Sequence, residues 1–113
     1  MRRMVEKLLR QYGCDVILRR DGADVTVRAL IQPVTGKTER MSKLHRQVLG
    51  RENPGQYVYI GPVEPAPAVL GEITAEGRSY RVRTVEQIRG SGEAVYCWAL
   101  CVEKGGTQPW GMN

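Results

Sequence analysis

The chain has little of what most enzymes and most membrane or secreted proteins need. It holds one histidine, His45, and three cysteines, Cys14, Cys97 and Cys101, with no CxxC pair. A multi-histidine metal site is excluded, and His45 has no cysteine or orienting carboxylate in a recognisable catalytic arrangement. Three is an odd number of cysteines, and Cys97 and Cys101 on one face of an extended strand stand about 13 Å apart, too far for a disulfide. Reduced, packed thiols are therefore expected. No run approaches the ~18 apolar residues that cross a bilayer. Met1-Arg2-Arg3 leads into an amphipathic segment rather than a signal peptide, so the expectation is a cytosolic chain with no membrane partner. No cofactor motif and no internal repeat is visible.

What is present is one domain's worth of chain with a basic excess. The 113 residues carry a formal charge of +5, and a chain of this length buries roughly two-thirds of its unfolded surface. The excess is uneven. Residues 1–32 hold seven Lys/Arg against four acids, residues 33–56 five against two, and residues 57–113 five against six. A polyanionic partner suits the first half better than the second.

Met1, Val5, Leu8, Leu9 and Tyr12 keep helical spacing, with Arg2, Arg3, Glu6, Lys7 and Arg10 on the other faces and Gly13 as a stop. This predicts an N-terminal helix, either a lid on the domain or a docking handle for a neighbouring subunit. From Cys14 the period becomes two. Val16 and Leu18 oppose Asp15, Ile17 and Arg19; Asp21-Gly22 is a hairpin turn; Val25, Val27, Ala29 and Ile31 then alternate with Asp24, Thr26, Arg28, Leu30 and Gln32. After a gap come strands over Gln56 to Gly61, Val69 to Ala75 and Arg78 to Ile88. In the last of these Tyr80, Val82 and Thr84 are expected to face inward. Pro62, Pro65 and Pro67 mark a stiff crossing over the end of the domain. Glu93 to Glu103 is apolar on both faces, as a central strand is. Six strands without βαβ alternation predict a mainly β fold, a small antiparallel barrel or sandwich of residues 1–103 with one N-terminal helix. Residues 104–113 read as a flexible tail.

The gap, Pro33 to Gly55, is the unusual feature. It is 23 residues long where strands are usually joined by about 2 to 6. Folded back on itself it would reach about 35 Å at ~3.3 Å per residue, beyond the ~13 Å radius of a domain of this size. It carries Lys37, Arg40, Lys43, His45, Arg46 and Arg51, and Met41, Leu44, Val48 and Leu49 keep helical spacing before Gly50. An isolated helix this short is marginal in water, so order on partner binding is expected. Gly36-Lys37-Thr38 imitates the end of a phosphate loop, but Ile31 stands where that motif needs its first glycine.

The order of these parts resembles the head-completion or stopper proteins at the head-to-tail joint of long-tailed phages and prophages of Gram-positive hosts. The resemblance is carried by the basic helix of residues 1–12, Val16-Ile17-Leu18-Arg19-Arg20, Ala29-Leu30-Ile31-Gln32-Pro33, the insertion, Tyr57-Val58-Tyr59-Ile60-Gly61-Pro62, Tyr80-Arg81-Val82-Arg83 and Val95-Tyr96-Cys97-Trp98-Ala99. It implies a structural, non-enzymatic subunit forming a homo-oligomeric ring below the portal and adaptor and above a tail-completion protein. It also implies assembly in the host cytoplasm and a final place at the virion joint. On this reading Lys37, Arg40, Lys43, His45, Arg46 and Arg51 line the DNA channel, without sequence preference. Met41, Leu44, Val48 and Leu49, with Arg2 and Arg3, meet partners or one another. A tail-completion protein of the same joint fits the pattern as well. A different class, a single-strand nucleic-acid-binding barrel, would use Tyr80, Arg81 and Arg83 beside the insertion. The sequence predicts that limited proteolysis cuts first between Pro33 and Gly55 and leaves the rest of the domain whole; mass mapping of the fragments checks this, and an intact insertion would contradict it.

Overall fold

The computed structural model describes residues 1–20, 22–34 and 55–104. Helix α1 spans Arg2–Tyr12, followed by β1 (Cys14–Arg20), β2 (Ala23–Pro33), β3 (Gln56–Gly61), β4 (Glu72–Ala75), β5 (Arg78–Gly90) and β6 (Glu93–Glu103). The six strands form a closed antiparallel barrel in the order β1-β2-β3-β6-β5-β4. Mainly β, with one N-terminal helix, is what the two-residue periodicity predicts. The ring closes where Val16 to Arg19 of β1 pair with Ala75 to Glu72 of β4.

Alternation decides which side chains enter the barrel. Val16 and Leu18, Val27 and Ala29, Tyr59, Ile73 and Ala75, Tyr80 and Val82, and Cys97, Ala99 and Cys101 form one buried cluster inside it. The opposite parity of β3 and β6 builds a second cluster on the outer face, Val58, Trp98 and Leu100, bordered by Val34, Ile60, Ile88 and Tyr96. This explains why β6 is apolar on both faces: one face fills the barrel and the other belongs to the outer cluster.

Two expectations about the strands need correction. Thr84 does not face inward. Val82 pairs with Cys101 but Thr84 pairs with Leu100, so Arg83 is an extra residue that reverses the alternation. Thr84 therefore lies on the outer face and Val85 packs against the core instead. Strand β4 begins at Glu72 rather than Val69. Leu70 adopts φ 68°, and the Gly71 amide donates to the Ala68 carbonyl at 2.8 Å, a turn that interrupts the pleat before the ladder begins. Pro33, expected to open the insertion, is instead the last residue of β2, opposite Tyr57. At the end of a ladder its missing N–H costs little.

The crossing from β3 to β4 closes one end of the barrel, as its prolines suggest. Val63 and Pro67 are buried, Ala66 packs on the core, and the Arg20 guanidinium donates to the Ala66 carbonyl. Helix α1 lies against β2 and β6. Leu9 is its buried contact, and the chain then turns at Gly13 into β1. A side chain has no room there: a Cβ on Gly13 would stand 2.5 Å from the Leu9 carbonyl oxygen and 2.7 Å from that of Ala29. Both are backbone atoms, so Gly13→Ala is expected to lower unfolding stability by about 1–3 kcal/mol through overpacking. Ile73→Ala, which empties space in the fully buried core, should cost about 2–5 kcal/mol. Urea unfolding measures both.

Candidate functional site

The residues expected to line a channel or meet a partner divide sharply. Lys37, Arg40, Met41, Lys43, Leu44, His45, Arg46, Val48, Leu49 and Arg51 lie outside the described residues, as does the tail from residue 105. The two ends of the insertion are described, and they are joined. The Val34 amide donates to the Gln56 carbonyl at 2.9 Å, the Glu103 amide to the Gly55 carbonyl at 2.9 Å, and the Lys104 amide to the Ser79 carbonyl at 2.9 Å. The insertion therefore leaves and re-enters at the end of the barrel where β6 finishes.

Below this stem sits a small polar clamp. The Tyr57 and Tyr80 rings meet edge to face with centroids 4.8 Å apart. Tyr57 accepts from Arg78 Nη1 at 3.3 Å and donates to Glu103 Oε1 at 3.4 Å, while Arg78 Nε lies 4.0 Å from Glu103 Oε2. Burial, then the neighbouring Tyr57 and Glu103, pushes the Tyr80 hydroxyl above its ordinary pKa. The clamp ties β3, β5 and β6 together where the insertion is rooted. The same geometry removes Tyr80 as a stacking platform, because its side chain is buried in the barrel. Arg81 and Arg83 are exposed on β5, and Arg81 donates to the Leu70 carbonyl at 3.2 Å.

On α1, Arg2 and Arg3 are exposed, with Arg2 Nε 3.4 Å from Glu6 Oε2. The apolar stripe predicted for this helix splits. Leu9 is buried and Val5 half-buried against the barrel, whereas Met1, Leu8 and Tyr12 point to solvent. Met4, which the predicted stripe omits, is exposed with them. Its spacing to Leu8 and Tyr12, four residues each time, is the sequence signal that marks a second face. The helix thus covers the barrel and keeps an outward apolar stripe. A smaller exposed apolar feature, Val69 and Leu70, sits on the turn before β4.

No group of three His, Cys, Asp or Glu side chains that could hold a metal occurs among the described residues. An open cleft of about 570 Å³ lies over the proline crossing, lined by Arg20, Val63, Glu64, Pro65, Ala66 and Gln87. A smaller one of about 260 Å³ runs beneath α1 and is lined partly by Glu6, Leu9 and Arg10. Among the described residues, neither lining contains a Ser, Cys or Thr nucleophile or a histidine base. No described helix is long and apolar enough to cross a membrane.

No family model, curated protein or solved structure matches the chain.

The cysteines are free, and Cys97 and Cys101 are buried. Burial pushes their thiols up to about 11 and about 12 from an ordinary value of 9.0. A thiolate is the nucleophile, so these two are packing groups at neutral pH. The sign of their effect on stability follows. Below pH 9 both folded and unfolded chains hold the protons and the contribution is complete. Above it the unfolded chain releases protons that the folded chain keeps, and stability is lost as pH rises toward 11 and 12. Each thiol contributes a fall of up to about 1.4 kcal/mol per pH unit in that window. Urea midpoints measured from about pH 8 to about pH 11 should decline, with a shallower decline for Cys101→Ala.

Proposed function

We propose that this chain is a structural subunit of a phage or prophage head-to-tail joint. It is a head-completion or stopper protein that assembles as a ring below the portal and adaptor, helps retain packaged DNA and offers the tail a docking surface. The observation that carries the reading is the rooting of the insertion. A segment with five Lys/Arg leaves a closed barrel at one end from a stem that β3 and β6 hold by backbone hydrogen bonds. Closure through β1 and β4 gives each strand of the barrel a neighbour on both sides, which reduces the edge open to strand addition. On this reading the helix, the loops and the insertion supply the contacts between copies, and the barrel is their mount.

Such a mount, repeated around a ring, multiplies five positive charges near one axis. Contacts of Lys37, Arg40, Lys43, Arg46 and Arg51 with DNA would be made to phosphates, independent of sequence and weakened by salt. Met41, Leu44, Val48 and Leu49 offer the alternative that apolar contacts between neighbouring insertions close the channel. A tail-completion subunit of the same joint would use the same mount one step lower. The single-strand-binding barrel is the weaker reading, because the ring it would stack on a base, Tyr80, is interior.

On this reading, the full chain mixed with the portal and adaptor of its own genome should co-sediment as a complex. Changing Lys37, Arg40, Lys43, Arg46 and Arg51 together to Gln should preserve that complex while filled heads lose DNA faster, by nuclease-accessible release. Free sedimentation of the chain in the presence of both partners would remove the reading's main support.

A further inference from the structure

A strand of a closed barrel has one face inside and one outside, and the outward side chains of β3 and β6 would ordinarily meet water. Three of them do not. Val58 is 4% exposed, Trp98 2% and Leu100 4%, although all three alternate with the interior residues Tyr59, Cys97, Ala99 and Cys101. Gln56 shares the outer parity, and its Oε1 is buried without a hydrogen-bond partner among the described residues. Side chains standing abreast on a pleated face shield one another's flanks and leave their tips open, so burial this complete needs a second layer.

The apolar side chains that pack on the trio are Ile60, Ile88 and Tyr96 of the same face, together with Val34. No residue of α1 or of the proline crossing is among them. The trio is buried within one chain on its own, so the cover belongs to that chain. Residues 105–113 start from Lys104, whose amide donates to the Ser79 carbonyl and whose ammonium meets Glu72 at 3.3 Å. Those partners are on β5 and β4, the side of β6 away from β3. Residues 35–54 start instead from Val34, which already packs on the trio, and return to Gln56 on the same face.

The covered area has the dimensions of one short helix. Gln32 of β2, opposite Val58, is exposed, while Thr84 and Glu86 of β5, opposite Leu100 and Trp98, are half-buried. Two to three strands at about 4.8 Å spacing suit a helix about 10 Å across. From Leu100 to Tyr96 the strand covers about 13 Å at ~3.3 Å per residue. Met41 to Leu49 as a helix would cover about 12 Å at ~1.5 Å per residue, and Met41, Leu44, Val48 and Leu49 share one side of it. Residues 35–40 and 50–54 can each stretch at least about 16 Å, enough to lay the helix along this face. Charge agrees, since Glu86 stands on the face and the insertion carries five Lys/Arg against two acids.

We infer that the apolar side of the insertion, Met41 to Leu49, docks on Val58, Trp98 and Leu100, the outer face of β3 and β6 in its own barrel. A helix too short to stand alone in water gains there the packing surface it needs. The inference does not rest on the connector reading, but it divides the insertion's labour. The apolar residues hold it to its mount, and the five cations are left for an anionic partner.

The test uses Trp98 as reporter in a full chain whose other tryptophan, Trp110, is replaced by Phe. In this parent, Trp98 emission should be blue and poorly quenched by acrylamide. Leu44→Glu with Val48→Glu should shift it to the red and raise the quenching, while far-ultraviolet circular dichroism keeps its β signal. Leu44→Met with Val48→Ile should leave Trp98 shielded, as should removal of residues 105–113. Equal shielding in the parent and the double Glu variant would overturn the inference. Loss of shielding on removing 105–113 would give the face to the tail, and loss on dilution would give it to a neighbouring copy's insertion; either overturns the choice of occupant. A digest of the unaltered chain guards against a variant that misfolds: trypsin should cut after Lys37 and Arg51, in the flanks, before it cuts after Lys43 and Arg46, between the anchors. Equal cutting at all four would also overturn the inference, and every one of these results leaves the connector reading to its own test.

Discussion

The four-residue ladder between β1 and β4 is the contact on which the architecture depends. Without it the six strands would form an open sheet, and the inward faces of β1 and β4 would have no common interior. With it, Val16 and Leu18 meet Ala75 and Ile73 across the seam, and all four are buried. Ion pairs flank the same seam: Arg19 lies 3.1 Å from Asp24 and 3.9 Å from Glu72, and Lys104 reaches Glu72 at 3.3 Å. These charges are partly exposed and individually worth little. The apolar pairs do the holding, and the charges border the seam with groups that favour this register.

Closure also sets the size of what fits inside. Small residues, Ala29, Ala75 and Ala99, alternate with large ones in the interior cluster. Gly61 is part of the same accommodation, because a Cβ there would stand 2.2 Å from the Tyr59 hydroxyl. That hydroxyl has no hydrogen-bond partner among the described residues, and burial raises its pKa. A buried hydroxyl without a partner is a local cost, offset here by the ring that fills the barrel. The barrel is accordingly a packed body rather than a container, and its chemistry is displaced to its ends and its outer surface.

That surface carries three features with different physical characters. The insertion's stem is held by backbone hydrogen bonds and the Tyr57–Arg78–Glu103 clamp. Helix α1 spends one face on the barrel and offers the other. The proline crossing, pinned by Arg20 through the Ala66 carbonyl, closes the barrel end where β1 finishes. Closure gives every described strand a neighbour on each side over part of its length, so these features stand out on a body that otherwise presents the outer faces of its strands.

The sequence by itself determined the strand content, the first hairpin, the alternation of Val16, Leu18, Val25, Val27 and Ala29, the two-faced character of β6 and the place of the long basic insertion. These follow from local periodicity and turn chemistry, which a short window of residues carries in full. Tertiary structure alone decided that the sheet closes through β1 and β4, because those strands lie more than fifty residues apart and nothing local pairs them. It decided the orientation of Thr84, since a bulge at Arg83 reverses alternation without a distinctive residue to announce it. It decided that the apolar residues of α1 divide between two faces. A helical period shows which residues share a side, but only the position of the barrel shows which side is covered.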